Sequence, residues 1–317
     1  MFDLPIFLMT LQKVAFLLLF ILVGYLLRRS GKLDHGAAST VSILTTFVFS
    51  PAYSISNLAE NFTVENLGNN LKLVGFSVAL LPFLIFSARL IARFLGRDLL
   101  EKHTFCYMDA FANTGYFGYP VIQGVFGEAM LAKFIVFCIP INMAIASYGY
   151  ALFMSSGKGS LSVKRVLFSP PMLGTMIGCV LGLLQLPLPA LLKNALQGAG
   201  ACMSPSSMIL AGLVMGAYPL KKLLSGVRPY LLGLIRLIAM PVLFGVPLYL
   251  VGVRGLYLFL ALAITAMPSG MNIIVYPESL GHDASANAKI CFVCTLMSLA
   301  TMPVVLALAK TVSGLNL

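Results

Sequence analysis

Two stretches of this sequence place neutral polar side chains beside glycine and proline within apolar surroundings. The first reads Asn113-Thr-Gly-Tyr-Phe-Gly-Tyr-Pro120, and the second reads Met267-Pro-Ser-Gly-Met-Asn-Ile-Ile-Val-Tyr-Pro277. Glycine frees the backbone, and proline removes an N–H donor and clashes with the preceding turn, so a helix through either stretch must break. A helix that restarts after a break presents N–H groups and a positive dipole end, and these bind anions.

The residues at these breaks therefore predict an anion-binding site made of backbone and neutral side chains. Amides and hydroxyls bind a carboxylate without leaving a buried charge when the site is empty. Asn142, two residues after Pro140, either reaches this site or satisfies the carbonyl that the proline frees. The predicted substrate-binding residues are Asn113, Thr114, Gly115, Tyr119, Pro120, Pro268, Ser269, Gly270, Asn272 and Asn142.

Asp109 precedes the first break by about one turn of helix. Near the predicted site its carboxyl group would lie at low dielectric, where the neutral acid is favoured and can carry a proton. The alternative is a solvated acid without a role at the cytoplasmic end of a shorter helix. We treat Asp109 as the candidate for proton coupling.

A second set of polar residues gives weaker site candidates. Arg236 lies well inside an apolar stretch. Three alternatives are open for its side chain: contact with the anion, a pair with Asp109, or extension to the membrane interface. Two polar clusters that follow Ser-Pro pairs, at Ser50-Pro51 and Ser204-Pro205, would line a cavity opposite the breaks. From these clusters the candidates are Tyr53, Asn57, Ser204 and Ser207.

The composition shows which elements must position these residues. Of 317 residues, 59% are hydrophobic and 10% are charged, against roughly 25% charged in a soluble domain. The mean hydropathy is +0.96, and the apolar stretches exceed the roughly 20 residues that cross a bilayer. The sequence therefore predicts an all-α integral membrane protein without a separate soluble domain.

Polar clusters divide the chain into ten predicted spans. Fourteen lysines and arginines follow odd-numbered spans, against five on the opposite side, so both termini are predicted to be extracytoplasmic in a cell membrane. The spans cover residues 5–27, 36–57, 71–95, 103–126, 129–154, 166–186, 191–216, 229–251, 254–279 and 285–312.

The prolines and glycines inside the spans indicate an internal duplication. Each of these residues in the first half lies 154 to 163 positions before its equivalent in the second half. Each half has five spans, and an odd number inserts the second half upside down, so the sequence predicts two inverted repeats, at 1–154 and 161–317. The matched pairs are Pro51 with Pro205, Pro82 with Pro241, Gly115 with Gly270, Pro120 with Pro277 and Pro140 with Pro303.

The first break carries a resemblance to a known family. The stretch Asn113-Thr-Gly-Tyr-Phe-Gly-Tyr-Pro120, followed by Val-Ile-Gln-Gly-Val-Phe-Gly127, resembles the fourth-helix signature of the auxin efflux carrier family. These proteins are the bacterial relatives of plant PIN-type auxin carriers in the bile acid and auxin transporter superfamily. The plan of two sets of five spans is similar along the whole chain.

The resemblance implies a carrier that moves an organic anion across the membrane by elevator-like alternating access. It implies a scaffold domain from residues 5–57 and 166–216 and a transport domain from residues 71–154 and 229–312. Broken spans 4 and 9 would cross at mid-membrane around the substrate, a carboxylate such as malonate or malate or an auxin-like acid. It also implies homodimers through the scaffold helices in the lipid bilayer.

Other function classes are less well supported by the sequence. It contains no HExxH, GxSxG or P-loop motif and only ten acidic residues, so no enzyme, nucleic-acid partner, cofactor or metal is predicted. A sodium-coupled symporter of the bile-acid-symporter type and a passive anion channel stay open as alternatives. The glycines at 174, 178, 182, 212 and 216 indicate close helix packing, either within the scaffold or at a dimer seam.

Overall fold

The computed structural model describes residues 3–34, 36–154, 168–279 and 285–315 of the chain. The fold is 86% helical, and these residues contain no β-strand. The linker predicted at 155–160 between the two halves lies outside the described residues, as do the side chains of residues 278 and 279.

Sixteen α-helices follow one another in the described chain. They are α1 (Leu4–Arg29), α2 (Gly36–Leu44), α3 (Ser50–Asn61), α4 (Leu67–Leu95), α5 (Leu99–Ala110), α6 (Tyr119–Ala144), α7 (Tyr150–Phe153), α8 (Pro170–Leu184), α9 (Ala190–Ala201), α10 (Met203–Met215), α11 (Leu220–Leu223), α12 (Arg228–Leu234), α13 (Met240–Leu250), α14 (Gly255–Ala266), α15 (Asn272–Ser279) and α16 (Ser285–Ser313). A 3₁₀ turn covers Val64–Asn66, and π-helical turns cover Thr45–Phe49, Thr114–Gly118, Ile145–Gly149 and Ile235–Ala239.

Many of these helices are long and apolar enough to cross a membrane. Seven helical segments of the described chain meet that condition: Leu4–Arg29, Gly36–Asn61, Val64–Leu95, Thr114–Phe153, Ala190–Met215, Arg228–Leu250 and Ser285–Ser313. Two shorter apolar helices, α8 and α14, accompany them. Large apolar side chains such as Phe94 and Leu191 are 79% and 85% exposed, as expected of surfaces that contact lipid acyl chains. The protein is thus a multi-pass membrane protein.

The segment Thr114–Phe153 contains two helical directions, because Gly127 interrupts it. Gly127 has φ 81° and ψ 177°, a conformation outside the helical region that glycine adopts without a Cβ clash. The sequence separates spans 4 and 5 at the same point.

Three of the π-helical turns end two residues before a proline. These prolines are Pro51, Pro120 and Pro241, and before each one a backbone N–H bonds the carbonyl five residues back. Proline lacks an N–H and its ring clashes with the carbonyl four residues back. The wider π turn accommodates the ring, so each helix continues through its proline.

We assign the helices to two groups, which also contact each other extensively. In the first group α1 packs along α10, and α3 packs against α8 and α9. In the second group α4 packs against α5 and α6, and α16 packs against α12 and α14. Contacts of α1 with α16 and of α3 with α6 join the two groups.

Glycines allow the closest helix contacts of the first group. Gly24 of α1 and Gly212 of α10 lie against each other's main chain, so a Cβ at either position would overlap backbone atoms. The glycines of α8, at 174, 178 and 182, lie in the same way against α3. The structure therefore shows these glycines in helix contacts within the chain, which is one of the two interpretations of their spacing.

We expect Gly212→Ala to lower the melting temperature of the detergent-purified protein by several degrees. The added Cβ would meet the Ile21 carbonyl oxygen, and overpacking of this kind costs about 1–3 kcal/mol. Gly75→Ala is the control, since a Cβ at Gly75 in α4 meets no atom within 4 Å. Equal melting temperatures for the two variants would contradict this account of the contact between α1 and α10.

Candidate functional site

Two helical spans break close to the stretches that the sequence predicts, and their broken ends meet. The first break lies at residues 111–113, just before the predicted stretch 113–120, whose Gly115 and Pro120 lie in resumed helix. The second break, at residues 267–271, is the first part of the predicted stretch 267–277. Helix α5 ends at Ala110 and helical structure resumes at Thr114, while α14 ends at Ala266 and α15 begins at Asn272. Between these ends the chain is extended at Phe111 and Met267.

The extended segments pair with each other as a short antiparallel bridge between Ala112 and Ser269. The Asn113 N–H donates to the Pro268 carbonyl at 2.9 Å, and the Gly270 N–H donates to the Phe111 carbonyl at 3.2 Å. Backbone groups freed by the two breaks thus satisfy each other, which is what an apolar interior requires. We call residues 111–113 together with 267–271 the crossover.

A cavity of about 280 Å³ lies beside the crossover. One wall consists of the crossover and the helices that restart from it, and the opposite wall comes from α3, α8, α10 and the π turn before α3. Ile135, Ile139, Ile145 and Met172 give the cavity an apolar lining between its polar groups.

Seven of the ten predicted substrate-binding residues line this cavity, and three do not. Pro120 lies in the first turn of α6, Pro268 gives its carbonyl to the bridge, and Ser269 is buried with its Oγ 3.5 Å from the Gly270 carbonyl. The seven that line the cavity are Asn113, Thr114, Gly115, Tyr119, Asn142, Gly270 and Asn272.

The Asn142 amide bonds two residues of the helical segment that follows the first break. The Thr114 hydroxyl donates to Asn142 Oδ1 at 3.1 Å, and Asn142 Nδ2 donates to the Tyr119 hydroxyl at 3.1 Å. In the second break Asn272 Nδ2 donates to the Tyr276 hydroxyl at 3.1 Å. Of the two readings of Asn142, the structure shows the one in which it reaches the site.

The polar groups around the cavity are neutral. Among the residues that the structure describes, neither a lysine nor an arginine lines it. The first turns of two helices point their N–H groups toward the crossover, where the positive ends of the helix dipoles lie. The cavity therefore suits an anionic group held by dipoles and hydroxyls and not by a cationic side chain.

Arg236 lies behind the crossover and outside the cavity lining. Its side chain is 1% exposed, so the expectation that it extends to the membrane interface is wrong. Its Nε donates to the Met267 carbonyl at 3.0 Å, Nη1 to the Asp109 carbonyl at 2.6 Å and Nη2 to the Ile264 carbonyl at 3.1 Å. Those carbonyls at the ends of α5 and α14 hold the guanidinium in the protein interior.

Asp109 is also buried, with 1% of its surface exposed. It does not line the cavity, and its carboxyl oxygens receive no hydrogen bond from any described residue. It bonds Arg236 through its backbone carbonyl and not through its carboxylate. The alternative of a solvated acid at a helix end is therefore wrong, because this side chain is buried.

The remaining candidates lie away from the cavity lining. The Tyr53 hydroxyl donates to Gln123 Oε1 at 2.8 Å, and the Tyr53 ring stacks on Tyr119 with centroids 6.0 Å apart. Asn57 Nδ2 donates to Glu128 Oε2 at 2.8 Å, and Gln123 Nε2 donates to Glu128 Oε1 at 2.6 Å. These four polar side chains, Tyr53, Asn57, Gln123 and Glu128, form a contact between α3 and α6 that we call the polar contact.

Ser204 and Ser207 in α10 do not reach the cavity either. The Ser207 hydroxyl donates to the Met203 carbonyl at 2.6 Å, and the Ser204 hydroxyl has no hydrogen-bond partner among the described residues.

The structure adds cavity residues that the sequence reasoning missed. Thr46, Ser50 and Ser54 line the wall opposite the crossover, and their spacing of four residues places them on one helix face. That spacing was a usable signal. Tyr107, Tyr116, Ser169 and Thr175 also line the cavity, and no local pattern distinguishes them from other polar residues of the spans.

Comparison with known proteins gives a consistent assignment over nearly the whole chain. Residues 9–306 match the family described as membrane transport protein. An uncharacterized transporter of Methanothermobacter thermautotrophicus is 27% identical over 304 residues, covering 94% of this chain and 98% of the relative. An uncharacterized transporter of Methanocaldococcus jannaschii is 24% identical over 307 residues, covering 91% and 95%.

The bridge predicts a difference between two substitutions at one position. Asn113→Pro removes the N–H that bonds Pro268, whereas Asn113→Ala removes only the side chain. Proline is compatible with the φ of −77° at Asn113 and with extended backbone at Ala112, so the lost hydrogen bond is the main change.

Loss of a buried hydrogen bond costs about 1–3 kcal/mol. We therefore expect the melting temperature of Asn113→Pro, followed by circular dichroism in detergent, to lie several degrees below that of Asn113→Ala. Coincident melting curves would show that the backbone bridge contributes nothing to stability.

Proposed function

The chain belongs to the membrane transport protein family, the auxin efflux carrier family, and on that premise we propose that it is a secondary carrier of a small organic anion. Family membership makes it a transporter and not an enzyme. The observation that carries the choice of an anion is the uncharged polar cavity at the crossover, into which two helices direct their N-terminal turns.

The composition of the cavity defines the substrate class of the proposal. Hydroxyl and amide donors such as those of Thr114 and Asn142 lie next to helix N-termini, which suits a carboxylate group. The apolar lining accommodates a hydrocarbon part of the same molecule. A small carboxylate such as malonate or malate, or an auxin-like aromatic acid, has these two parts.

Ten spans in two inverted repeats are the architecture that we propose. The crossover supports it, because its two breaks come from corresponding places in the two halves of the sequence. We propose that the two helix groups are a scaffold domain and a transport domain. Helices α1 to α3 and α8 to α10 are the proposed scaffold, and α4 to α7 together with α12 to α16 are the proposed transport domain.

Movement of the transport domain against the scaffold is the proposed mechanism. The cavity is lined from both helix groups, so a displacement of one group would carry a bound anion past the wall formed by the other. The polar contact bridges α3 and α6 beside Tyr119, and it would close the cavity on that side. Such a contact would separate and reform during alternating access.

Electrical and chemical gradients supply the proposed driving force. With both termini extracytoplasmic in the cell membrane, an anion leaving the negative cytoplasm gains about 2.3 kcal/mol per charge per 100 mV. Export then needs no coupling ion, and uptake would be coupled to a proton on Asp109. We further propose a homodimer through scaffold helices.

Transport by protein reconstituted in liposomes tests the proposal. We expect saturable uptake of a radiolabelled carboxylate from a panel of malonate, malate and indole-3-acetate, whereas a channel would give flux that does not saturate. Thr114→Val removes the donor to Asn142 and should lower the flux about tenfold, as loss of about 1.4 kcal/mol does.

The matched control is Thr301→Val in α16, whose hydroxyl bonds only the Met297 carbonyl within the described chain and lies outside the cavity lining. It should transport at the wild-type rate. Absence of carboxylate flux in wild-type protein, together with unchanged melting temperatures in the presence of every acid of the panel, would refute the proposal.

Proton coupling makes a separate prediction for Asp109. The ionisable groups that interact electrostatically with its carboxyl group include Arg236, Cys106 on α5 and Cys294 on α16. Unlike a carboxyl group, the asparagine amide does not bind or release a proton near neutral pH. Asp109→Asn should therefore abolish the acceleration of uptake by an inward proton gradient. Cys294→Ser is the control and should keep that acceleration; retention of the full gradient response by Asp109→Asn would rule out this role.

A further inference from the structure

We propose that the Arg236 guanidinium is the resident cation of the crossover and occupies the place of a coupling sodium ion, so that transport is independent of sodium. This inference rests on the proposed carrier function. It assigns Arg236 as a positioning residue, because its contacts are with backbone carbonyls of the crossover and not with the cavity.

The carbonyl ends of two helices converge at this position. Helices α5 and α14 end at Ala110 and Ala266, and the last carbonyls of each lack partners within their own helix. Each helix end carries a partial charge of about −0.5, so together they attract about one positive charge. In carriers with broken helices, such C-terminal ends and unwound carbonyls form the binding sites of coupling cations.

Arg236 satisfies these carbonyls directly. Its three nitrogen types donate to one carbonyl of α5 and two at the end of α14, at 2.6 to 3.1 Å. The guanidinium cannot be deprotonated in proteins, so the positive charge is permanent. Its side chain is 1% exposed, which excludes solvent cations from the same oxygens.

The element that carries Arg236 is suited to this placement. Arg236 lies in the π-helical turn Ile235–Ala239, and its helices α12 and α13 pack against α16 and α14 of the same helix group. The guanidinium therefore stays with both broken helices when that group moves. A sodium ion entering the same position would meet a fixed positive charge at hydrogen-bond distance from its ligands.

Chemical rescue tests the assignment. In Arg236→Ala the carbonyls lose their cation, and we expect a melting temperature several degrees lower than wild type and a carboxylate flux lowered about tenfold, as for a buried hydrogen-bonded charge. Millimolar methylguanidinium should restore both quantities in part. Replacement of sodium by choline should change neither quantity in the wild-type protein, and sodium should raise the melting temperature only of Arg236→Ala.

The control variant is Arg254→Ala. Arg254 also donates to carbonyls, those of Tyr249 and Val253, but it is exposed at a helix end and should show no rescue by methylguanidinium. If Arg236→Ala does not fold, Arg236→Lys supplies the charge with fewer donors. Its melting temperature should then be intermediate, with no response to sodium.

Three results would overturn the inference: a sodium requirement for wild-type flux, a sodium-induced rise in the wild-type melting temperature, or an Arg236→Ala protein that melts and transports as wild type. The melting measurements require no substrate. Rescue of stability by methylguanidinium in a protein that moves no carboxylate would therefore support the resident cation while refuting the proposed transport function.

Discussion

The structure depends on one constraint, which is that backbone polar groups in a lipid environment must find partners within the protein. Most of the chain meets it by forming apolar helices. At residues 111–113 and 267–271 the chain leaves the helical conformation, and two backbone hydrogen bonds between these segments replace the lost ones. The crossover is stable because each break supplies the donors and acceptors that the other lacks.

The crossover also places the positive and the negative ends of the helix dipoles on different sides, with no ionised side chain in the described cavity lining. Helix N-termini at Thr114 and Asn272 face the cavity side, while the C-termini of α5 and α14 lie on Arg236. The positive dipole ends are thus available to an anion, and the negative ends are neutralised by a fixed cation. This division would allow a site without lysine or arginine in its described lining to attract the carboxylate of the proposed substrate.

Local sequence signals predicted part of the site and failed at particular residues. Glycine and proline indicated the neighbourhood of the breaks, and most of the neutral residues beside them line the cavity. They did not give the exact position of the first break, which lies at residues 111–113, because the π turn at Thr114–Gly118 lets the helix continue through Pro120. The sequence left three alternatives for Arg236, none of which names its main-chain partners, because those partners are carbonyls of distant segments and have no sequence signature. Tyr53 and Asn57 lie in the polar contact while Ser50 and Ser54 line the cavity, a difference set by how α3 faces α6.

The sequence alone determined that this protein lies in a membrane, in which regions its helices break and which side chains accompany the breaks. These properties follow from residue hydrophobicity and from the conformational limits of glycine and proline, and both act within a few residues. The tertiary structure decided that the breaks pair with each other, that α3 and α8 supply the opposite wall, and that Arg236 binds two helix ends. Each of these joins segments far apart in the chain, 127 positions for Arg236 and Asp109, and only packing brings such groups within hydrogen-bond distance.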